Sequence, residues 1–270
     1  MKRVGLFGGS FDPVHNGHRA IAHSFLQSRV IDRLLILPAP YPPHKPAQVQ
    51  ASFAHRMEML RLAFQMRNDI LISDLEKTLS DDEAQTRVTD DSLSPELVRF
   101  LNGGRPAEPT GGTRDVEVKK EKPHSKTKTP ASGTTDSPPE EEQEIRENEA
   151  VRYSRPSYTI ETITFLQERF PQTLFYLCMG GDSLASFHTW VRWEEILERV
   201  ALLVAARPGT GQSGIRTEIL EKAIFADHEP VDVSSTEVRK QVKNFSKTRD
   251  SEDLPESVQH YIREKRLYEG

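Results

Sequence analysis

Cysteine is almost absent from this chain of 270 residues: Cys178 stands alone. An internal disulfide is therefore excluded, and a thiolate-based structural zinc site has no ligands to draw on. No apolar run reaches the roughly 18 residues needed to span a bilayer. The opening segment MKRVGLFGGSFDPVHNGH breaks into Gly, Asp, Pro and His before a signal-peptide core could form. The expectation is a cytoplasmic protein with no membrane association. Excess positive charge is missing too. With 36 Lys+Arg against 41 Asp+Glu the net charge is −5, which argues against a general nucleic-acid binder. Apolar residues are also scarce, at 36%.

That scarcity is local. Between Asn102 and Ala150 the only aliphatic residues beyond alanine are Val116, Val118 and Ile145, and no aromatic occurs. The stretch holds six prolines, a lysine cluster and the run EEEQE. Such a segment buries too little apolar surface to offset its ordering entropy, so disorder is expected over about 102–150. The part from Thr78 to Asn102 is less extreme, since SPELVRFL can form a turn or two of amphipathic helix. The expected organisation is one domain built from residues 1–77 and 154–270, interrupted by an insertion over 78–153. The insertion carries a net −6 and leaves +1 on the 194 remaining residues.

Those remaining residues alternate short aliphatic runs with helical periodicity. Strands are expected at Val4–Phe7, Leu34–Leu37, Ile70–Ile72, Leu174–Met179 and Ala201–Ala205. Helical spacing links Ile21, Phe25 and Val30, then Phe53, Met57, Leu60 and Phe64 behind a Ser52 cap. Ile160, Ile163, Leu166 and Phe170 make a third apolar face. The alternation implies an α/β fold: a Rossmann-like, doubly wound parallel sheet of five or six strands with helices on both faces. Ligands of such sheets bind beyond the carboxyl ends of the strands.

The first strand runs into GGSFDPVHNGH, Gly8 to His18. Gly8 and Gly9 allow the backbone close to a phosphate. His15 and His18, three apart, can face one point at the start of the next helix, where unpaired amides favour polyphosphate. Ser234 or Ser235 can cap another helix, with Arg239 one turn further. Taken singly, either motif reads equally as a Gly-rich turn with incidental histidines, or as an ordinary helix cap with a surface Arg. Cys178 lies mid-strand and reads as an inert buried thiol.

Together these segments resemble the nucleotidyltransferase superfamily marked by HxGH, and within it the bacterial nicotinate-nucleotide adenylyltransferase family. GxFDPxHxGH, PAPYPPHK (Pro38–Lys45), SRPSYTIETI (Ser154–Ile163), GGDSLASFHTWVRWEEIL (Gly180–Leu197), VSSTEVR (Val233–Arg239) and the tail Leu254–Tyr268 all match its pattern. The insertion and Gly181, where the family commonly has Ala, depart from it. The resemblance implies transfer of the adenylyl group of ATP to nicotinate mononucleotide, giving deamido-NAD and pyrophosphate without a covalent enzyme intermediate. It implies His15, His18, Lys45 and Arg239 as catalytic residues. ATP binding falls to Gly8, Gly9, Ser10, Phe11, Gly180, Asp182, Arg207, Ser234, Ser235 and Thr236 as well. The acceptor falls to His44, Lys45, Tyr158, Thr159 and Trp190, with Trp190 stacking on the pyridine and Trp193 packed in the core. Asp182 reads either as a ribose ligand or as a helix cap. Mg²⁺ is expected on the ATP phosphates, with no protein metal cage. Nicotinamide mononucleotide or another phosphate acceptor stays open as an alternative. So does a non-catalytic scaffold that binds an unidentified partner through the insertion. No motif speaks to oligomeric state.

Overall fold

A computed structural model describes residues 1–41, 49–80, 93–103, 158–206, 213–229, 231, 233–243 and 251–269. Strand β1 (Lys2–Gly9) is followed by α1 (Asn16–Gln27), β2 (Arg33–Pro38), α2 (Phe53–Phe64), β3 (Ile70–Ile72) and α3 (Leu75–Ser80). Next come α4 (Pro95–Leu101), α5 (Thr159–Arg169), β4 (Thr173–Gly180), α6 (Gly181–Ser186) and a 3₁₀ turn (Phe187–Thr189). The chain continues with α7 (Trp193–Arg199), β5 (Ala201–Ala205), α8 (Thr217–Glu221), β6 (Ala223–Ala226), α9 (Ser235–Val242) and α10 (Glu256–Glu264). The strands form one parallel sheet in the order β3-β2-β1-β4-β5-β6. The five expected strands are present, and β6 is a sixth. Its short AIFA run is too brief and too half-buried to announce itself by periodicity.

Strand pleating divides the core in two. Leu6 pairs with Leu35 and Leu177, and all three face a layer with Leu75, Phe100, Ile163 and Ile196 from α3, α4, α5 and α7. The alternate residues Phe7, Ile36 and Cys178 face a second layer with Phe25, Met59, Val238 and Val258 from α1, α2, α9 and α10. Both sheet faces are thus covered, which explains why the strands read as continuous aliphatic runs. Gly5 is fixed by crowding: a Cβ there would lie 2.6 Å from Cys178 Sγ and 2.7 Å from Ile31 Cδ1. Burial pushes the Cys178 thiol pKa upward, leaving it an inert neutral group.

The Ser52 cap is present, its hydroxyl accepting from the His55 amide at 3.4 Å. Val30 lies beyond the end of α1, which stops at Gln27. Between Thr78 and Asn102 the fold is more ordered than composition suggests. Helix α3 runs across the Lys77–Thr78 junction. Ser94 caps α4 by accepting from the Leu97 amide at 3.1 Å, with Pro95 in the first turn. Leu93, Leu97, Phe100 and Leu101 are buried in the first core layer. The last carbonyls of α4 meet cations from the amino-terminal ends of β1 and β2. Arg33 donates to Phe100 O at 2.6 Å and to Gly103 O at 2.9 Å, and Lys2 to Asn102 O. The stretch expected to be disordered lies outside the described residues beyond Gly103.

Candidate functional site

In this strand order the chain reverses its winding between β1 and β4, and the carboxyl ends of the central strands open a crevice there. A cavity of about 1210 Å³ occupies it. Every expected site residue that the structure describes lines this cavity: Gly8, Gly9, Ser10, Phe11, His15, His18, Gly180, Asp182, Ser234, Ser235, Thr236 and Arg239, with Tyr158, Thr159 and Trp190. His44, Lys45 and Arg207 lie outside the described residues. The volume exceeds the roughly 300–1,000 Å³ usual for one drug-sized ligand.

The His pair is set by the first turn of α1. His15 occupies the N-cap with extended backbone and His18 the third helical position, so their rings lie side by side, tilted by 36°, with centroids 3.8 Å apart. The His15 amide donates to His18 Nδ1 at 3.3 Å. A ring nitrogen that accepts carries no proton, so the neutral His18 holds its proton on Nε2. His15 Nδ1 is buried without a partner among the described residues. Burial lowers the His15 pKa to about 4, partly opposed by Asp253. It lowers His18 well below the ordinary value as well, with His15 adding to the effect. Both rings are therefore neutral at pH 7. The glycine of HNGH has a packing reason: a Cβ on Gly17 would come within 2.8 Å of Val233 Cγ1 and 3.0 Å of the His15 ring.

Asp12 organises the loop between β1 and α1. It is buried, and its carboxylate accepts from the Gln50 amide at 2.7 Å, the Ala51 amide at 3.1 Å and the Tyr268 hydroxyl at 2.5 Å. Phe11 beside it holds a φ of 49°, a strained value for a bulky residue, between Phe7 and His18. Arg56 lies underneath, fully buried, donating to Ser10 O and Ala39 O at 2.8 Å each and to Pro40 O at 3.1 Å. It ties together the loops leaving β1 and β2.

The VSSTEVR segment behaves as a cap. Ser234 accepts from the Glu237 amide at 3.2 Å, and Ser235 Oγ donates to Pro13 O at 3.1 Å. The first-turn amides of Ser235 and Thr236 keep no partner among the described residues. The resemblance implies Arg239 as a catalytic and ATP-binding residue, and it does line the cavity. It donates to Asp12 O at 2.5 Å and to Thr236 Oγ1 at 3.3 Å, with the Asp12 carboxylate 3.9 Å away, so it also braces the loop.

On the other side, Tyr158 and Thr159 open α5. Asp182 is exposed in the first turn of α6, and Gly180 takes the N-cap, so the helix-cap reading of Asp182 is excluded. Trp190 and Trp193 stand on a shoulder rather than one helical face: Trp190 is extended, Arg192 left-handed at φ 56°, and Trp193 starts α7. Trp193 is buried edge-on to Phe187, as expected, whereas Trp190 lines the cavity.

Four residues escaped the sequence reading. Glu76 and Thr162 are buried and line the cavity, with Thr162 Oγ1 unpartnered among the described residues. Thr162 sits inside the SRPSYTIETI motif and Glu76 in the short helix after β3, where position alone gave no polar role. His228 and Arg56 have no local signal and are recruited only by the tertiary fold.

A family match covers residues 6–241. The chain belongs to the Cytidylyltransferase-like family. Within this Cytidylyltransferase-like group, it is 26% identical over 270 residues to the nicotinate-nucleotide adenylyltransferase of Bacillus subtilis (strain 168), covering 100% of both chains. In structure it is similar to Plasmodium falciparum nicotinic acid mononucleotide adenylyltransferase complexed with NaAD, at a TM-score of 0.60 and 16% identity. That match covers 100% of this chain and 98% of the other. The same P. falciparum protein complexed with APC gives 0.59 and 15%, with the same coverage. Such distant structural matches establish the fold, and they agree with the six-stranded parallel sheet.

Proposed function

We propose that this chain transfers the adenylyl group of ATP to nicotinate mononucleotide, yielding deamido-NAD and pyrophosphate. The observation that carries the reading is the end-to-end similarity to the B. subtilis nicotinate-nucleotide adenylyltransferase. The cavity geometry supports it. His15, His18 and the free first-turn amides of α9 converge where a triphosphate would lie. Tyr158, Thr159 and Trp190 offer the acceptor a ring face and polar edges on the opposite side.

The chemistry is positioning and charge stabilisation. The 5′-phosphate oxygen of the acceptor attacks the α-phosphorus in line, and pyrophosphate leaves. His18 Nε2–H donates to phosphate oxygens as charge grows on them. His15 Nδ1, without a strict hydrogen-bond partner among the described residues, gains one when ligand arrives. Asp12, Arg56 and Arg239 hold the loop backbone so that these donors stay aimed. Lys45 and His44, which follow β2 in sequence, and Arg207, which follows β5, are assigned by resemblance to the phosphates and acceptor. Among the described residues no three His, Cys, Asp or Glu side chains cluster as a metal cage. Both Asp12 oxygens are already engaged. This suits a Mg²⁺ carried by the triphosphate oxygens and water, which would neutralise charge on the leaving pyrophosphate.

The test is pyrophosphate release by the purified chain with ATP and Mg²⁺, comparing nicotinate and nicotinamide mononucleotides. A strong preference for the nicotinate form is expected. Release with neither acceptor would remove the assignment, and equal rates would remove the acceptor choice.

A further inference from the structure

The cavity straddles the carboxyl edge of the sheet. Tyr158 and Trp190 pack against one core layer, whereas Ile21 and Val233 pack against the other. On this second side the cavity wall includes the apolar residues Ile21, Ala205 and Val233. A buried polar side chain, His228, just past β6, also lines the cavity.

His228 Nδ1 lies 2.9 Å from Ser24 Oγ. Ser24 has one hydroxyl proton, and the Ala20 carbonyl one turn back takes it at 3.1 Å. The Ser24 oxygen therefore accepts from Nδ1–H, and the lone pair resides on Nε2. Nε2 has no protein partner among the described residues, and it is not sealed from the cavity. Burial lowers the pKa of this histidine, opposed by Asp227, so the neutral form holds at pH 7. The result is an acceptor of fixed tautomer in the cavity wall beside Ile21, Ala205 and Val233.

We propose that His228 reads the base of the nucleotide triphosphate, its Nε2 accepting a hydrogen bond from the 6-amino group of adenine. A 6-oxo purine would set lone pair against lone pair. The carboxylate of nicotinate would do the same, which assigns the pyridine to the Trp190 side. Ser24 is the positioning residue that fixes the tautomer. The inference rests on the proposed use of ATP and adds the residue that selects it.

The experiment measures Kd by calorimetry for ATP, purine riboside triphosphate (which lacks only the 6-amino group) and inosine triphosphate, each with Mg²⁺. It uses the full chain, His228→Leu and Ser24→Ala. The unsubstituted protein should bind ATP about tenfold more tightly than the amine-free analogue. His228→Leu should bind the two within about twofold while its Kd for nicotinate mononucleotide stays unchanged. Ser24→Ala frees the ring to present Nε2–H, so inosine triphosphate should gain relative to ATP. Equal binding of ATP and the amine-free analogue by the unsubstituted protein would overturn the proposal without any variant. An ATP preference that persists in either variant would also overturn it. Binding is read independently of turnover: base preference without pyrophosphate release would sink the proposed reaction and leave this inference standing, and release without base preference would do the reverse.

Discussion

His15 and His18 are neutral because the fold buries them, and that burial has a pH signature. An unfolded histidine titrates near 6.5, whereas His15 in the fold titrates at about 4. Between those values the unfolded chain binds more protons, so stability is full above about pH 6.5 and falls as pH drops toward 4. His15 contributes about 3 kcal/mol of that loss. Denaturant midpoints for the native chain and His15→Asn should therefore converge as pH falls through this window; parallel curves would refute the assignment. His18→Ala should cut turnover roughly 10²–10³-fold with unchanged circular dichroism, since it removes the Nε2–H donor and leaves the core intact. A near-normal rate would strip His18 of its catalytic role.

At the level of elements, the motifs were legible wherever the chain keeps its ligand-facing groups close in sequence. The strand–glycine–His–helix order of Gly8–His18 and the Ser cap of α9 could be read directly, because local spacing fixes both. Helix α4 was only half visible. Its apolar residues are few, but a Ser cap, a first-turn Pro and cationic anchoring of its last carbonyls let seven residues hold. Arg56 and His228 could not be read at all, since their partners are loop carbonyls and a serine distant in sequence. The shoulder at Trp190–Trp193 separates two aromatic roles that spacing merges. Trp190→Ala should raise KM for the mononucleotide acceptor about tenfold with little change in Tm. Trp193→Ala should instead cost about 3 kcal/mol of stability. Steady-state kinetics and thermal melts on both variants would expose any reversal.

Over the whole molecule, the segment from 104 to 157 joins opposite edges of the sheet. Gly103 lies against Lys2, at the start of β1, while Tyr158 lines the cavity at its end. Eight strand residues separate those levels, about 25 Å at 3.3 Å per residue. Excising 78–153 outright would also remove Leu93, Leu97, Phe100 and Leu101 from the core, so that variant should not fold. Replacing 104–157 with about 15 Gly/Ser residues should preserve the melting transition, and direct ligation of Gly103 to Tyr158 should abolish it. Expression and calorimetry of the three chains test this. At the same scale, Tyr268 donates to Asp12 across 256 residues of sequence. Tyr268→Phe leaves a buried carboxylate oxygen one partner short and should cost about 2 kcal/mol in a denaturant titration. During synthesis Asp12 leaves the ribosome 256 residues ahead of Tyr268, which makes the His loop one of the last parts of this fold to become rigid. A nascent chain already holding every other wall of the cavity would still lack the bond that steadies the loop ahead of His15 and His18 until Tyr268 emerged.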